Sequence, residues 1–434
     1  MAGLYNDGGL KFSKKMIFQI LVLLISLAVY AGYGLSGLCY LVAATLIAWA
    51  LGLLLRRSKW LLVPGIILAS LPLLLIRLEP LTGMSVLAPL GVSYFTLQII
   101  SYLVDVYKEK YEPERNLVSF GVYVTYLPHL FFGPIESFDD MKSALSKRRI
   151  TWDGLSSGTI RAMWGLFKKY AIAARAGVVI ATIAADTETY SGAYALFAML
   201  LYSVELYADF SGGMDIVLGI SEMLGLKLSE NFGRPYFSET VQEFWRRWHM
   251  TLGEWLRKYV YIPLGGNRKG KVRKVLNLVV TFLVSGLWHG INYLLWGVIH
   301  GLLVATGKGL KTRFKTLNRA VTFLLVSVLW SFFIWSDTLT ALKSIASVFT
   351  SFSITSFLQN FGSLGLDTGE WIVFLAALLI LFAYDALKDR FDSLFVSSAP
   401  AARVLVCGML AVSVLLFGMY GIGFEAEEFI YSRF

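Results

Sequence analysis

Charge is what this 434-residue chain has least of. Asp, Glu, Lys and Arg make up only 16% of it and apolar residues 56%, with a mean hydropathy of +0.64. Soluble domains carry about 25% charged residues. So few polar side chains cannot cover so much apolar area in water, so most of the surface faces lipid. Disorder, collagen and coiled coil are excluded on the same ground. Cysteine is nearly absent: Cys39 and Cys407 both lie in apolar runs, which excludes a disulfide scaffold and leaves them as small buried hydrophobes. Histidine occurs four times, with no HExxH and no His/Asp cluster at ligand spacing, so no metal site is expected. There is no GxSxG elbow; Ser211 reads as a turn residue, and Gly212, Gly213, Gly265 and Gly266 read as loop punctuation. No internal repeat and no separate soluble module stands out, and no basic face interleaved with stacking aromatics points to nucleic acid. The first apolar run, Met16 to Tyr33, is long enough to span and lacks a persuasive cleavage site, so it reads as a membrane helix.

What is present is a series of apolar runs separated by basic clusters. Runs near 16–33, 37–55, 60–78, 88–105, 117–133, 171–185, 193–209, 275–288, 293–307, 320–336, 371–387 and 403–422 are candidate membrane helices. The net charge of +10 is spread over Lys11–Lys15, Arg56–Lys59, Lys108–Arg115, Lys147–Arg149, Arg257–Lys274, Lys308–Arg319 and Lys388–Arg390. Placing these clusters inside gives a cytoplasmic amino terminus and an extracytoplasmic carboxyl terminus, with which acidic Glu425, Glu427 and Glu428 agree. Ser156–Tyr170, where Trp164 and Phe167 alternate with Arg161, Lys168 and Lys169, suits a helix lying at the interface. The acids Glu205, Asp209, Asp215 and Glu222 are expected to pair with Arg246 or Arg247.

Two runs are short. Val275–Trp288 would span about 21 Å against a hydrocarbon core of about 30 Å, and Tyr293–Gly307 is similar. With Lys274 before and Lys308 after, the pair reads as re-entrant, its apex His289-Gly290-Ile291-Asn292 deep in the protein; a tilted full crossing is the competing solution. An ionisable group at that depth is read first as functional, His289 therefore as a site residue, the alternative being a neutral imidazole bonded to a facing helix. His249 closes Glu243-Phe244-Trp245-Arg246-Arg247-Trp248-His249, where an interfacial belt explains the tryptophans and arginines better than the histidine. His129 and His300 read as core histidines.

These residues carry a resemblance. Asn231-Phe232-Gly233-Arg234-Pro235-Tyr236, the Glu243–Leu252 stretch, Trp255-Leu256-Arg257-Lys258-Tyr259-Val260-Tyr261-Ile262-Pro263-Leu264-Gly265-Gly266-Asn267-Arg268 and Gly286-Leu287-Trp288-His289-Gly290 together resemble the membrane-bound O-acyltransferases. Pro89–Phe95, Tyr102–Tyr107 and Gly133-Pro134-Ile135 are similar too, so residues 89–305 form the motif-bearing core. Within the family the chain looks most like the branch of the alginate O-acetylation protein and peptidoglycan O-acetyltransferases. The D-alanyl transfer protein of teichoic acid synthesis is a close relative. At Phe332-Phe333-Ile334-Trp335 it departs from relatives that carry an arginine after the aromatic pair.

The resemblance implies an all-α polytopic membrane protein of about 11 membrane helices, plus re-entrant and interfacial ones, around a tunnel. It maps the family's two histidines onto His289 and His249. Trp245, Arg246, Arg247, Trp248, Trp288 and Asn267 are then expected to bind the donor or line the tunnel. No tightly bound cofactor is expected: the acyl donor is a thioester, acetyl-coenzyme A or acyl carrier phosphopantetheine, met on the cytoplasmic side by Arg246, Arg247 and the 257–274 bases. A histidine supplies the base that a hydroxyl acceptor needs. The acceptor is a glycan outside, reached directly or through an SGNH-type partner. D-alanyl transfer to teichoic acid is the second enzyme reading. A glycan transporter or export channel is the rival of another class, disfavoured because the polar residues concentrate between 205 and 300 without a counterpart in the other half.

Overall fold

A computed structural model describes residues 13–307, 312–335, 337–397 and 399–420. Among them the chain is all helical, with no strand. The amino-terminal group comprises α1 (Lys14–Ala31), α2 (Leu35–Leu55), α3 (Leu62–Thr82), α4 (Val92–Tyr107), α5 (Leu117–Thr125), α6 (Leu127–Phe131) and α7 (Phe138–Lys147). The centre is α8 (Trp152–Phe167), α9 (Ala174–Ala185) and α10 (Ala193–Met223). The motif region holds α11 (Val241–Arg247), α12 (Met250–Leu256), α13 (Gly270–His289) and α14 (Leu294–Thr306). The remainder is α15 (Lys315–Leu329), α16 (Ser331–Ile334), α17 (Thr338–Thr350), α18 (Ile354–Gln359), α19 (Thr368–Ser397) and α20 (Pro400–Phe417).

Seven helices among the described residues are long and apolar enough to cross a membrane, which makes this a multi-pass protein: α1, α2, α3, α10, α15 with α16, α19 and α20. That is fewer than the sequence predicts. The difference has a physical cause. α4 has 16 residues, α5–α6 is broken at Tyr126, and α14 has 13 residues, so these apolar helices are shorter than the seven.

The centre corrects three expectations. Ser156–Tyr170 is not a separate interfacial helix: α8 continues through a π-helical turn at Lys168–Ala173 into α9, one rod about 50 Å long. Asp209-Phe210-Ser211-Gly212-Gly213 is not a turn either, but lies inside the 31-residue α10, antiparallel to the rod. Its glycines serve close packing. A Cβ on Gly212 would lie 2.8 Å from the Gly165 carbonyl oxygen, and one on Gly219 would lie 2.4 Å from that of Gly158. Finally, Asp209 and Asp215 pair with other cations than Arg246 or Arg247. Asp215 binds Arg161 at 2.9 Å and Lys168 at 2.7 Å, and Asp209 binds Lys169 at 2.5 Å. Arg247 binds Glu243 instead, at 2.6 Å, and Arg246 is exposed.

α13 and α14 form the expected hairpin with His289 at its turn, but the length argument fails for the first arm. α13 starts at Gly270 and has 20 residues, about 30 Å, because Lys271, Arg273 and Lys274 belong to it. Gly286 and Gly297 let the arms touch: a Cβ on either would meet backbone oxygen, of Tyr293 at 2.6 Å and of Phe282 at 2.4 Å. Lys308 lies outside the described residues, as do Lys11, Glu425, Glu427 and Glu428.

Candidate active site

His289 and His249 come from different elements and face one cavity. His289 is the last residue of α13 and 7% exposed; His249 precedes α12 and is 3% exposed. Between them is a closed space of about 20 Å³ lined by both imidazoles, Trp245, Trp248, Trp296, Trp330 and Phe333, with Ser285 also in the wall. That is room for about one water molecule. An acyl carbonyl enters this space only if part of the aromatic wall moves.

Rings fix both histidines. His289 meets Phe333 edge-on at 5.4 Å and Trp296 at 5.8 Å, while His249 meets Phe210 at 4.9 Å and Trp288 at 6.1 Å. Edge-to-face contacts of this kind orient as well as bury. Trp248 stacks on Phe244 and packs against Trp330 and Phe232, closing the wall toward α10.

The backbone at His249 is left-handed, φ 45° and ψ 53°, which is uncommon for a side chain with a Cβ. Asn231 makes it possible. His249 precedes the first turn of α12 but makes no capping bond; Asn231 does so in its place, its Oδ1 accepting from the Thr251 amide at 3.0 Å and its carbonyl from the Met250 amide at 3.0 Å. The same Oδ1 lies 3.3 Å from His249 Nδ1. Because the Thr251 amide can only donate, this atom of Asn231 is the oxygen, so His249 Nδ1 carries the proton and Nε2 is its acceptor nitrogen. The Thr251 hydroxyl donates to the same oxygen and receives the Ile135 amide at 3.0 Å, which brings the Gly133-Pro134-Ile135 element to the site.

The other predicted residues divide. Trp245 and Trp248 line the cavity, and Trp288 touches both histidines from outside its lining, 4.7 Å from His289 and 6.1 Å from His249 ring to ring. Arg247 supports the frame rather than the cavity, its carbonyl accepting from the Gly233 amide at 2.9 Å. Arg246 faces outward. Asn267 is exposed in the turn before α13, about 30 Å of helix from His289, and does not meet the cavity. Around that turn Arg268, Lys269, Lys271 and Arg273 are exposed, whereas Arg257 is engaged by Glu254 at 2.8 Å. The bond from Arg257 holds the Glu254 carboxyl below its ordinary pKa. His300 is buried as a core residue, receiving the Trp245 indole N–H at 3.1 Å, and His129 is buried beside Gln98.

Sequence reasoning missed Asn231 as an orienting group, and missed Trp296, Trp330 and Phe333 as walls. It also passed over Arg77, a buried arginine inside an apolar run that the cost of intramembrane charge could have flagged.

The model of the membrane-bound O-acyltransferase family matches residues 113–341, a span containing both histidines and the whole cavity wall. The chain belongs to the membrane-bound O-acyltransferase family. O-acyl transfer is the reaction class of this family, and the chain is an enzyme of that class. It is 38% identical over 348 residues to the "Probable alginate O-acetylase AlgI" of Pseudomonas fluorescens, covering 76% of this chain and 69% of that one. It is 33% identical over 293 residues to the peptidoglycan O-acetyltransferase of Helicobacter pylori, covering 59% and 55%. To the teichoic acid D-alanyltransferase of Streptococcus thermophilus it is 28% identical over 283 residues, covering 61% and 68%. Over five AlgI relatives, the matches span 54–69% of the relatives' own lengths.

Proposed function

We propose that this acyltransferase moves an acetyl group from a cytoplasmic thioester to hydroxyls of an extracytoplasmic glycan, directly or by way of an SGNH-type partner. The observation that carries the mechanism is the shared cavity of His289 and His249. Acetyl is favoured over D-alanyl by the higher identity to the O-acetylases, 38% and 33% against 28%.

His289 acts as general base. As the acceptor oxygen attacks the thioester carbonyl carbon, its proton passes to the imidazole and the C–O bond forms. The tetrahedral intermediate then collapses, the C–S bond breaks, and the leaving sulfur takes the proton back. His249 positions the donor or the entering hydroxyl. With Nδ1–H committed to Asn231, its neutral ring offers an acceptor nitrogen, so it would polarise a carbonyl only as the cation. Trp245, Trp248 and Trp288 exclude water, which protects the thioester from hydrolysis. The exposed bases around Asn267 meet the anionic donor at the cytoplasmic face, and the amino terminus shares that side while the carboxyl terminus lies opposite.

The test is transfer in vesicles. Protein is reconstituted with labelled acetyl thioester on one side and acceptor glycan, with or without the partner, on the other. Label should appear on the glycan with stoichiometric release of thiol, and His289→Ala should abolish both. Glycan movement across the vesicle without thioester consumption would instead make the protein a transporter.

A further inference from the structure

Arg77 lies in α3, a helix of membrane-spanning length, and is 5% exposed. A cation there is costly unless its donors are used, and here they converge on the end of α13. Its Nε donates to the carbonyl of Trp288 at 2.6 Å and its Nη2 to the Ser93 hydroxyl at 2.6 Å; the Trp288 indole N–H lies 3.4 Å from the Ser93 carbonyl. Arg77, Ser93 and Trp288 therefore form a triangle across α3, the first turn of α4 and the last turn of α13. Tyr94 closes it edge-on against the Trp288 ring at 6.4 Å and 88°.

The location matters. The last carbonyls of a helix lack intrahelical donors, and Gly290 satisfies only that of Gly286 here. The Trp288 carbonyl belongs to the peptide that carries His289, and a cation at a helix carboxyl end is favourable. Neither acceptor of Arg77 is charged, so this arginine is not held by a carboxylate in these bonds. Its fork instead fixes a backbone oxygen one residue from the imidazole.

We propose that Arg77 is a positioning residue for His289: by clamping the Trp288 carbonyl against Ser93 it holds the imidazole toward His249 across the cavity. This rests on His289 being the base. Arg77 does not line the cavity and touches no substrate there. A purely structural clamp and a positioning one differ in what an apolar replacement does. An apolar replacement leaves the buried Trp288 carbonyl and Ser93 hydroxyl without their donor, which costs the fold stability in either role, so the two are separated by turnover per folded molecule. A misplaced catalytic base is not neutral for turnover, and an error near 1 Å costs about 100-fold.

The full chain, purified in detergent, is assayed for acetyl transfer and thermal unfolding as wild type, Arg77→Met, Arg77→Lys, Ser93→Ala, His289→Ala and the Arg77→Met/His289→Ala pair. Arg77→Met should unfold earlier than wild type, because the Trp288 carbonyl and the Ser93 hydroxyl lose their donor, and per folded molecule it should lose about 10–100-fold in kcat and keep donor KM within about twofold. Arg77→Lys, which restores a cation and one donor but not the fork, should recover part of that loss. In the His289→Ala background, Arg77→Met should cost no more than about a further twofold, since groups that act as a unit are not additive. Wild-type kcat in Arg77→Met, or its full loss repeated in the His289→Ala background, overturns the proposal. If His289→Ala itself turns over normally, it is the base assignment that fails. Should Arg77→Met not fold, Ser93→Ala decides: unchanged stability with a several-fold lower kcat supports the clamp, and wild-type kcat refutes it.

Discussion

Two buried polar regions lie on either side of Trp248, and they are built on opposite plans. On the α8–α10 side, Arg161, Lys168, Asp215 and Glu230 neutralise one another, Tyr207 donates to Asp385 at 2.7 Å and Arg403 binds Asp153 at 2.7 Å. All of these but Asp153 border a cavity of about 860 Å³ lined by α8, α10, α19 and α20. On the other side, His249 and His289 sit among rings around about 20 Å³. In the first region each ion holds another, an arrangement that fixes helices against each other. In the second, aromatic edges and, for His249, the Asn231 amide orient the two rings. Charge pairing marks the scaffold, and two histidines in a closed aromatic box mark the proposed site.

Mutations can break that contrast. The largest effect is expected at His289: replacement by Ala should lower transfer by about 10²–10⁴, the range for a positioned base, with normal insertion and unfolding, and adding His249→Ala should cost far less than its own single loss. Next is Asn231→Ala, which removes both the orienting oxygen and the surrogate cap of α12. Turnover should fall by about 10–100-fold and stability by about 1 kcal/mol, while Asn231→Asp, which keeps the oxygens, recovers the cap. Asp215→Ala should act the other way round. It leaves Lys168 and Arg161 without their shared carboxylate, costing about 2–4 kcal/mol, reduced from the fully buried case because Arg161 and Asp215 keep some solvent. Turnover per folded molecule should hardly change. Among the cavity residues the smallest effect on turnover is expected for Trp245→Phe, which strips His300 of its donor at about 1–3 kcal/mol and lowers turnover less than Asn231→Ala does. Thermal unfolding and single-turnover transfer, measured on the same preparations, check all four.

Much of the site was legible because its signals are local. A histidine between small residues at the end of an apolar run, and a second closing a tryptophan-rich stretch, identify themselves without a fold. What was not legible depends on distance. Arg161 and Asp215 are 54 positions apart and Arg77 and Trp288 are 211, so no periodicity links them. The pairing of Asp209 and Asp215 with lysines rather than with Arg246 or Arg247 follows from α8 and α9 forming one rod through a π turn, which places Lys168 and Lys169 against α10. Asn267 was grouped with the site because it shares a motif run, yet α13 separates it from His289 by nearly its whole length.

The most direct test of the central claim is a side-by-side comparison of His289→Gln and Asp215→Ala for unfolding midpoint and for acetyl transfer from a labelled thioester. The account predicts that His289→Gln unfolds as wild type does and transfers at least about 100-fold more slowly. It predicts that Asp215→Ala unfolds earlier yet transfers normally per folded molecule. Wild-type transfer by His289→Gln would contradict it.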